Sequence, residues 1–117
     1  HIVAGDWSLE RGYRAAGELL QSDRPPEAIF AASDMLAIGV LQAARDLKRS
    51  VPADVAVVGY DDFNAASLVS PALTTIRMPA YELGLKAAEL IAGYHRAGQF
   101  TSQECILDTQ LIIRNSA

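Results

Sequence analysis

Two kinds of block alternate along this chain. Short apolar runs lie at residues 2–4, 28–31 and 55–59, and each is followed within two residues by a polar one. The segments that separate these runs carry apolar residues at helical spacing. Such alternation is typical of a parallel sheet with helices on its faces. The predicted fold class is therefore α/β, although the run at residues 2–4 is too short to assign by itself.

Two helices are predicted in the first half of the chain. The first follows Gly5-Asp6, and its apolar face is formed by Leu9, Tyr13, Ala16 and Leu20. The second covers residues 34–49, and we expect the Ser33-Asp34 pair to cap its start. Its core face is formed by Leu36, Val40, Ala43 and Leu47, and its opposite face by Met35, Ile38, Gln42, Arg45 and Arg49.

The second half of the chain begins with a run that is apolar at every position. Residues 55–59 predict a central strand buried on both faces, and a mixed segment at 60–73 leads to a short strand at 74–77. Pro79 suits the first turn of a long helix over residues 79–97, and Gly98 suits its end. Residues 105–113 then predict one or two terminal strands.

Composition and charge exclude several classes of function. Half of the residues are apolar, which suffices for a core, and the net charge of −4 is the wrong sign for binding a phosphate backbone. Cys105 is the single cysteine, so no internal disulfide is expected, and one thiol fits a reducing cytoplasm. No apolar stretch reaches the length of about 18 residues that a membrane span needs. The first residues do not form a signal peptide either.

Polar or aromatic groups follow three of the predicted strands: Asp6-Trp7, Ser33-Asp34 and Tyr60-Asp61-Asp62. Ligands of open parallel sheets bind beyond the carboxyl ends of the strands, so Trp7, Ser33 and Asp61 are candidates for one cleft. An indole face covers the apolar face of a sugar, and a carboxylate accepts hydrogen bonds from its hydroxyls. Alternatively, Trp7 is packing, and Ser33 and Asp34 are only helix caps.

Enzyme chemistry finds little support. The glycines match neither a dinucleotide-binding fingerprint nor a phosphate-binding loop, and no serine lies in a nucleophile-elbow motif. His1, His95 and Cys105 lack the spacing of metal ligands. Asp61-Asp62 would fit a Mg²⁺ or phosphoacceptor pocket, but no matching lysine or third acid is evident. We expect no catalytic residue, no metal and no cofactor.

The outer face of the predicted helix 34–49 indicates a subunit interface. Met35 and Ile38 are sizeable apolar residues beside the long polar side chains of Gln42 and Arg45. An apolar centre with a polar rim is typical of protein–protein contacts. Isolated apolar residues on a surface are also normal, and this alternative stays open.

Several segments follow the pattern of one family, in order and over essentially the whole chain. Residues 51–62 read VPADVAVVGYDD, and residues 28–39 read AIFAASDMLAIG. Further matching segments are Gly5-Asp6-Trp7, residues 71–76 (PALTTI), Leu83-Gly84 and residues 111–116 (LIIRNS). Together they resemble the LacI/GalR family of bacterial transcription regulators.

The resemblance implies a two-lobed core, similar to periplasmic binding proteins, that closes on a small effector. Residues 1–77 would lie in the C-terminal lobe, residues 78–102 would cross to the N-terminal lobe as a helix, and residues 103–117 would return as terminal strands. The helix-turn-helix, the hinge helix, most of the N-terminal lobe, the opening βα unit and an effector-gripping arginine would lie upstream of His1. We therefore expect the chain as given to bind effector weakly or not at all.

The family pattern also assigns roles to residues of this chain. Trp7 stands where an aromatic stacks on effector, Ser33 at a polar position facing the cleft, and Asp61 at a carboxylate that binds effector. The dimer contacts correspond to the outer face of the second helix and to the segment near residue 68: Met35, Ile38, Gln42, Leu68 and Val69.

The implied function is effector sensing and dimerisation in a cytoplasmic repressor. A sugar or related polyol would control operator binding by a homodimer, whose DNA contacts would be made by a helix-turn-helix outside this chain. The alternative is a periplasmic sugar-binding protein that feeds a transporter. The V-P-x-D-V and A-L-T-T-I strings favour the repressor. No membrane partner is expected.

Overall fold

The computed structural model describes residues 1–98 and 104–117 of the chain. The elements of the described residues are α1 (Leu9–Leu20), β1 (Ala28–Phe30), α2 (Asp34–Asp46), β2 (Ala56–Asp61), α3 (Asn64–Leu68), β3 (Thr74–Arg77), α4 (Ala80–Ala97) and β4 (Gln110–Ile112). None of these helices is both long enough and apolar enough to cross a membrane.

The chain divides into two compact units. The first contains residues 1–77 and 111–117, and the second contains residues 78–110. The chain therefore leaves the first unit after Arg77 and enters it again at Leu111. All strands except the first residue of β4 belong to the first unit, which also holds α1, α2 and α3.

The four strands form one sheet in the order β1-β2-β3-β4. β1 is parallel to β2, with Phe30 opposite Val58, and β2 is parallel to β3, with Asp61 opposite Arg77. The predictions of an α/β fold and of a central strand after residue 55 are confirmed. Val57 and Gly59 of β2 are buried, whereas Val58 and Tyr60 are half-buried, so one face of the strand is covered more completely than the other.

Hydroxyl groups define the starts of α1 and α2, as helix capping requires. Ser8 Oγ accepts a hydrogen bond from the backbone N–H of Arg11 at 3.1 Å, and Ser33 Oγ accepts one from that of Leu36 at 3.2 Å. The second helix ends at Asp46, three residues before the predicted end. Lys48 adopts a left-handed backbone with a φ of 57°, which ends the helix.

Two glycines allow α1 and α2 to approach each other closely. A Cβ on Gly12 would clash with the backbone carbonyl of Leu36, and a Cβ on Gly39 would clash with the carbonyl of Leu9. The crossing buries Ala16 of α1, which joins Val40, Ala43 and Ala44 of α2 in the core. Val57 of β2 and Leu73, which precedes β3, belong to the same core.

The structure corrects one prediction made from local pattern and adds detail to two others. Residues 2–4 form no strand, because the carbonyl of Ala4 accepts from Arg11 Nη2 at 2.6 Å and Ile2 is fully exposed. The segment at 60–73 contains the short helix α3, whose buried Ala66 accepts through its carbonyl from the N–H of Leu73. Within residues 105–113, Gln110–Ile112 form the strand β4, so the prediction of one or two terminal strands is confirmed with one.

α4 starts and ends where the sequence predicts. Pro79 stands at its N-cap, and Gly98 has a left-handed backbone with its N–H donating to the carbonyl of Tyr94. Several of its large apolar side chains are exposed, among them Tyr81, Leu85 and Ile91. Residues 99–103, where the predicted crossover ends and the predicted return begins, lie outside the described residues.

Candidate functional site

Two of the predicted effector residues lie together at the start of α2. Ser33 is its buried N-cap, and Asp61 ends β2 as a half-buried residue. Burial raises the pKa of the Asp61 carboxyl, and the negative charge of Asp34 raises it further. A hydrogen bond from the Asp34 backbone N–H lowers the pKa but does not offset these two effects. The Asp61 carboxylate therefore lies next to the first backbone N–H of α2.

Asp34 does not act as a helix cap, so this part of the predicted capping pair is wrong. Its side chain is fully buried, with Oδ2 accepting from the backbone N–H of Phe63 at 2.8 Å and Oδ1 accepting from Thr75 Oγ1 at 2.5 Å. A Cβ on Gly59 would clash with Oδ1 of Asp34. The carboxylate thus crosses β2 at its glycine and joins α2 to the segment after β2 and to β3.

The backbone at the end of β2 is strained. Asp61 has a φ of 116° and Asp62 a φ of 61°, a region that side chains with a Cβ seldom adopt. Strain of this kind costs about 1–3 kcal/mol per residue and persists only where the surroundings enforce it. Here the Phe63 N–H is fixed by Asp34, and the Asp62 side chain is fixed by two arginines.

Asp62 forms an ion-pair cluster with two arginines. Its Oδ2 accepts a hydrogen bond from Arg77 Nε at 2.7 Å and lies 2.7 Å from Arg77 Nη2, and its Oδ1 accepts from Nη2 of Arg114 at 2.6 Å. The Asp62 side chain is only 7% exposed. Burial acts to raise its pKa, but the hydrogen bonds from Arg114 and Arg77 outweigh burial and hold the pKa below its usual value. Asp62 is therefore a fixed carboxylate that is fully occupied by cations.

Trp7 lies apart from this pair. Its side chain is 66% exposed and lines a cavity of about 610 Å³ between residues 1–7, α1, β1 and α2. The cavity wall includes Ala32, which directly precedes Ser33, but neither Ser33 nor Asp61 lines it. The structure thus brings Ser33 and Asp61 together, and it places Trp7 near the residue before Ser33.

A surface patch that we call the α2–α3 patch consists of Met35, Phe63 and Leu68, which are 39%, 52% and 83% exposed. Gln42 and Val69 are half-buried, and Val69 packs against the core. Ile38 is 9% exposed, so the expectation that it lies on an open outer face is wrong. α2 is covered by α1, the sheet and α3, and only a narrow strip of it stays open.

Phe63 was missed by the sequence reasoning. It is exposed, and its backbone N–H is held by Asp34 immediately beside Met35. A large aromatic directly after the Tyr60-Asp61-Asp62 string, where a turn is expected, is the signal that would have found it.

The chemistry available at this site is hydrogen bonding. The Asp61 carboxylate accepts from the Asp34 N–H and keeps lone pairs for hydroxyl groups, while the Leu36 N–H at the start of α2 is already bonded to Ser33 Oγ. The described residues include no group of three histidine, cysteine or acidic side chains able to hold a metal ion. The site is thus suited to a neutral, hydroxyl-rich ligand.

A model of the periplasmic binding protein-like domain family matches residues 2–117. The chain is 35% identical over 116 residues to the HTH-type transcriptional repressor CytR of Escherichia coli (strain K12). This match covers 99% of this chain and 34% of the repressor. It is 41% identical over 102 residues to the ribose operon repressor of the same strain, covering 87% of this chain and 30% of that protein. The chain spans about a third of the length of these curated relatives.

Solved structures of similar fold include sugar complexes. The transcriptional regulator CelR–cellobiose complex superposes with a TM-score of 0.90 at 34% identity, over 97% of this chain and 35% of that one. A LacI family regulator from Enterococcus faecium with bound ribose superposes with a TM-score of 0.81 at 31% identity. The match covers 95% of this chain and 41% of that one. A dimeric Lac repressor superposes with a TM-score of 0.85 at 31% identity, and the match covers 96% of this chain and 41% of that one.

Proposed function

Because this chain belongs to the periplasmic-binding-protein-like domains of LacI-type repressors, we propose that it is the effector-sensing and dimerisation part of a DNA-binding repressor. The effector is a small sugar or related polyol. In the whole protein, effector binding shifts a dimer between two states that differ in affinity for operator DNA. The DNA contacts are made by a helix-turn-helix outside this chain, and the whole protein acts in the cytoplasm.

The observation that carries this proposal is the position of Asp61. It is a half-buried carboxylate at the carboxyl end of the central strand, in a strained backbone and next to the start of α2. Strained residues beyond strand ends are frequent at ligand sites of open α/β sheets. Cellobiose and ribose in two related structures support a sugar as the ligand class.

Each of the three candidate residues has a separate task in the proposed site. Asp61 accepts hydrogen bonds from neighbouring hydroxyl groups, and Trp7 covers the apolar face of the sugar ring with its exposed indole. Ser33 already accepts from the backbone N–H of Leu36. Its hydroxyl hydrogen remains as a donor toward the ligand, because a hydroxyl donates one hydrogen bond and accepts two.

A homodimer is the second part of the proposal, and the α2–α3 patch is its centre. Phe63 and Leu68 expose large apolar surfaces at the two ends of α3, and Met35 exposes a smaller one at the start of α2. Contiguous exposed apolar residues mark protein–protein contacts more often than isolated ones do. The similarity to a dimeric Lac repressor supports a second copy of this chain as the partner. Gln42 and Val69 belong to the rim of this contact, while Ile38 contributes little because it is already covered.

Two other functions are disfavoured. An enzyme that uses Asp61 and Asp62 would need Asp62 to be available, but both of its oxygens are occupied by arginines. A periplasmic sugar-binding protein would use the same carboxylate site, but the two curated relatives are transcriptional repressors. The repressor is therefore the function we propose.

Sugar titrations followed by NMR test the proposal. D-ribose, cellobiose and lactose are added separately at millimolar concentrations to ¹⁵N-labelled chain, since weak binding is expected. The indole N–H of Trp7 and the backbone amides near Ser33 and Asp61 should shift in a saturable way with at least one sugar.

Two variants give the titration its control. Asp61→Asn should abolish the saturable shifts, because the amide group replaces one acceptor oxygen with a donor. Asp23→Asn removes an exposed carboxylate from the turn after α1 and should leave the shifts as in the wild type. Equal saturable shifts in Asp61→Asn and the wild type would contradict the proposed function.

A further inference from the structure

We propose that Asp62 is a positioning residue that ties the backbone at Asp61 to the two segments by which the chain leaves and re-enters the first unit. The exit segment is Thr74–Arg77, which is β3, and the return segment is residues 111–114. The effect of a sugar on these segments rests on the proposed function. The tie itself rests on contacts within the first unit.

The tie is made by the two oxygens of one carboxylate. Oδ2 accepts a hydrogen bond from Nε of Arg77, the last residue before the exit, and pairs with its Nη2, while Oδ1 accepts a hydrogen bond from Arg114 of the return segment. The Asp62 side chain is 7% exposed and that of Arg114 is 18% exposed, so water screens this pair little. Arg77 is 53% exposed and is the weaker of the two connections.

Arg114 also fixes the return segment to the exit segment directly. Its Nη1 donates to the carbonyl of Leu73 at 2.8 Å, and its backbone N–H donates to Thr74 Oγ1 at 2.9 Å. Ser116 adds a further connection, accepting from the Thr74 N–H at 2.8 Å and donating to the carbonyl of Val57 at 2.6 Å. Residues 111–116 are therefore joined to β2 and β3 at several points, and the bond to Asp62 is the one that reaches the end of β2 beside Asp61.

The link from Asp62 to Asp61 is the strained backbone. Both residues have positive φ, and the next N–H is held by Asp34. A peptide unit with fixed groups on both sides has few ways to absorb a change locally. A movement of the Asp61 backbone must therefore alter Asp62, and through its carboxylate the positions of Arg77 and Arg114. The lowered pKa of Asp62 is consistent with a carboxylate that stays charged throughout.

Hydrogen exchange on the whole chain tests the tie without any ligand. In Asp62→Asn, amide exchange in residues 77–78 and 111–114 should rise by at least about tenfold along with that in residues 60–63, because loss of one partner leaves buried arginine charge uncompensated. Asp62→Glu, which keeps the carboxylate, should restore part of the protection. Glu10→Gln breaks an exposed ion pair of similar length between Glu10 and Arg14 and serves as the matched control.

A milder variant guards against a failure of Asp62→Asn to fold. Arg77→Gln removes only the more exposed connection, so exchange should rise at residues 77–78 and stay near the wild-type rate at 111–114. Exchange in Asp62→Asn confined to residues 60–63, or an equal rise at both segments in Arg77→Gln, would overturn the proposal.

The same exchange experiment with saturating sugar extends the test to the ligand. In the wild type, a sugar that shifts the Trp7 indole should also slow amide exchange at both segments. Asp62→Asn should lower the affinity for that sugar by about five- to hundredfold, the range of a coupling between two sites. If a sugar shifts the indole equally in Asp61→Asn and the wild type while Asp62→Asn still releases both segments, the tie stands and the proposed sugar function fails. If the sugar slows both segments equally in Asp62→Asn and in the wild type, Asp62 is not the positioning residue.

Discussion

Asp34 and Thr75 are joined across the central strand by a hydrogen bond of 2.5 Å between two fully buried side chains. The bond passes over β2 at Gly59, where any side chain would meet Oδ1 of Asp34. The other oxygen of Asp34 holds the backbone N–H of Phe63. One buried carboxylate thus sets the position of α2 against the strand end that carries Asp61.

Loss of the Thr75 hydroxyl should destabilise the fold. Thr75→Val keeps the shape of the side chain but leaves Asp34 Oδ1 without its donor, and an unsatisfied buried polar group costs about 1–3 kcal/mol. Urea unfolding of the two proteins would measure this difference in the free energy of unfolding. Ser67→Ala, which removes an exposed hydroxyl from α3, should change the free energy by less than about 0.5 kcal/mol.

Two glycines of α1 should respond to alanine with opposite signs. Gly12→Ala puts a Cβ against the carbonyl of Leu36 and should cost about 1–3 kcal/mol by forcing α1 away from α2. Gly17 has only the flexible end of Gln21 within 4 Å, at 3.9 Å. Gly17→Ala should therefore stabilise by about 0.5–1 kcal/mol through helix propensity. Thermal unfolding compares the two variants, and equal effects would refute the close approach at Gly12.

Asp61 should destabilise the fold at neutral pH. Burial, followed by the charge of Asp34, raises its pKa above the ordinary 3.8, so the folded state binds its proton more tightly than the unfolded state does. The stability contributed by this group is complete below the unfolded pKa and is lost as pH rises through the folded pKa. Asp61→Asn should raise Tm at pH 7, and its advantage over the wild type should shrink as the pH is lowered toward 4. An advantage that is independent of pH would contradict this origin.

Asp62 should show the opposite dependence. Its burial is outweighed by the hydrogen bonds from Arg114 and Arg77, which hold its pKa below 3.8. The stability it contributes is present above the unfolded pKa and is lost as pH falls through the folded pKa. Asp62→Asn should lower Tm at pH 7, with a deficit that narrows below about pH 4. Thermal unfolding from pH 3 to pH 7 would measure the difference in Tm between each variant and the wild type. This difference should be positive for Asp61→Asn and negative for Asp62→Asn at pH 7.

The α2–α3 patch should control self-association. Leu68→Asp places a charge where an apolar side chain is 83% exposed, so it should leave the fold intact but weaken a dimer by at least about tenfold. Sedimentation equilibrium of the chain would measure the change. Ile106→Asp is the matched control, because Ile106 is 82% exposed and lies outside the patch. A dimer that tolerates Leu68→Asp, or one lost equally in both variants, would place the interface elsewhere.

The order and kind of most elements could be predicted from the sequence, because hydrophobic periodicity and end signals are local. The strand at 74–77, the start of a helix after Ser33 and the left-handed end of the last helix at Gly98 are confirmed. The same local logic identified Asp61 and Ser33 as neighbours beyond two strand ends. The roles of Trp7, Ser33 and Asp61 toward an effector stay predictions.

The contacts that fix the candidate site were decided only by the tertiary structure. Asp34 was expected to cap a helix, yet it accepts hydrogen bonds from groups 29 and 41 residues away along the chain. Asp62 pairs with arginines that are 15 and 52 residues away. Ile38 was placed on an outer face but is covered by the surrounding elements. A sequence pattern specifies which face of one element avoids water. Which group a buried carboxylate meets depends on the packing of several elements at once, and no local spacing records it.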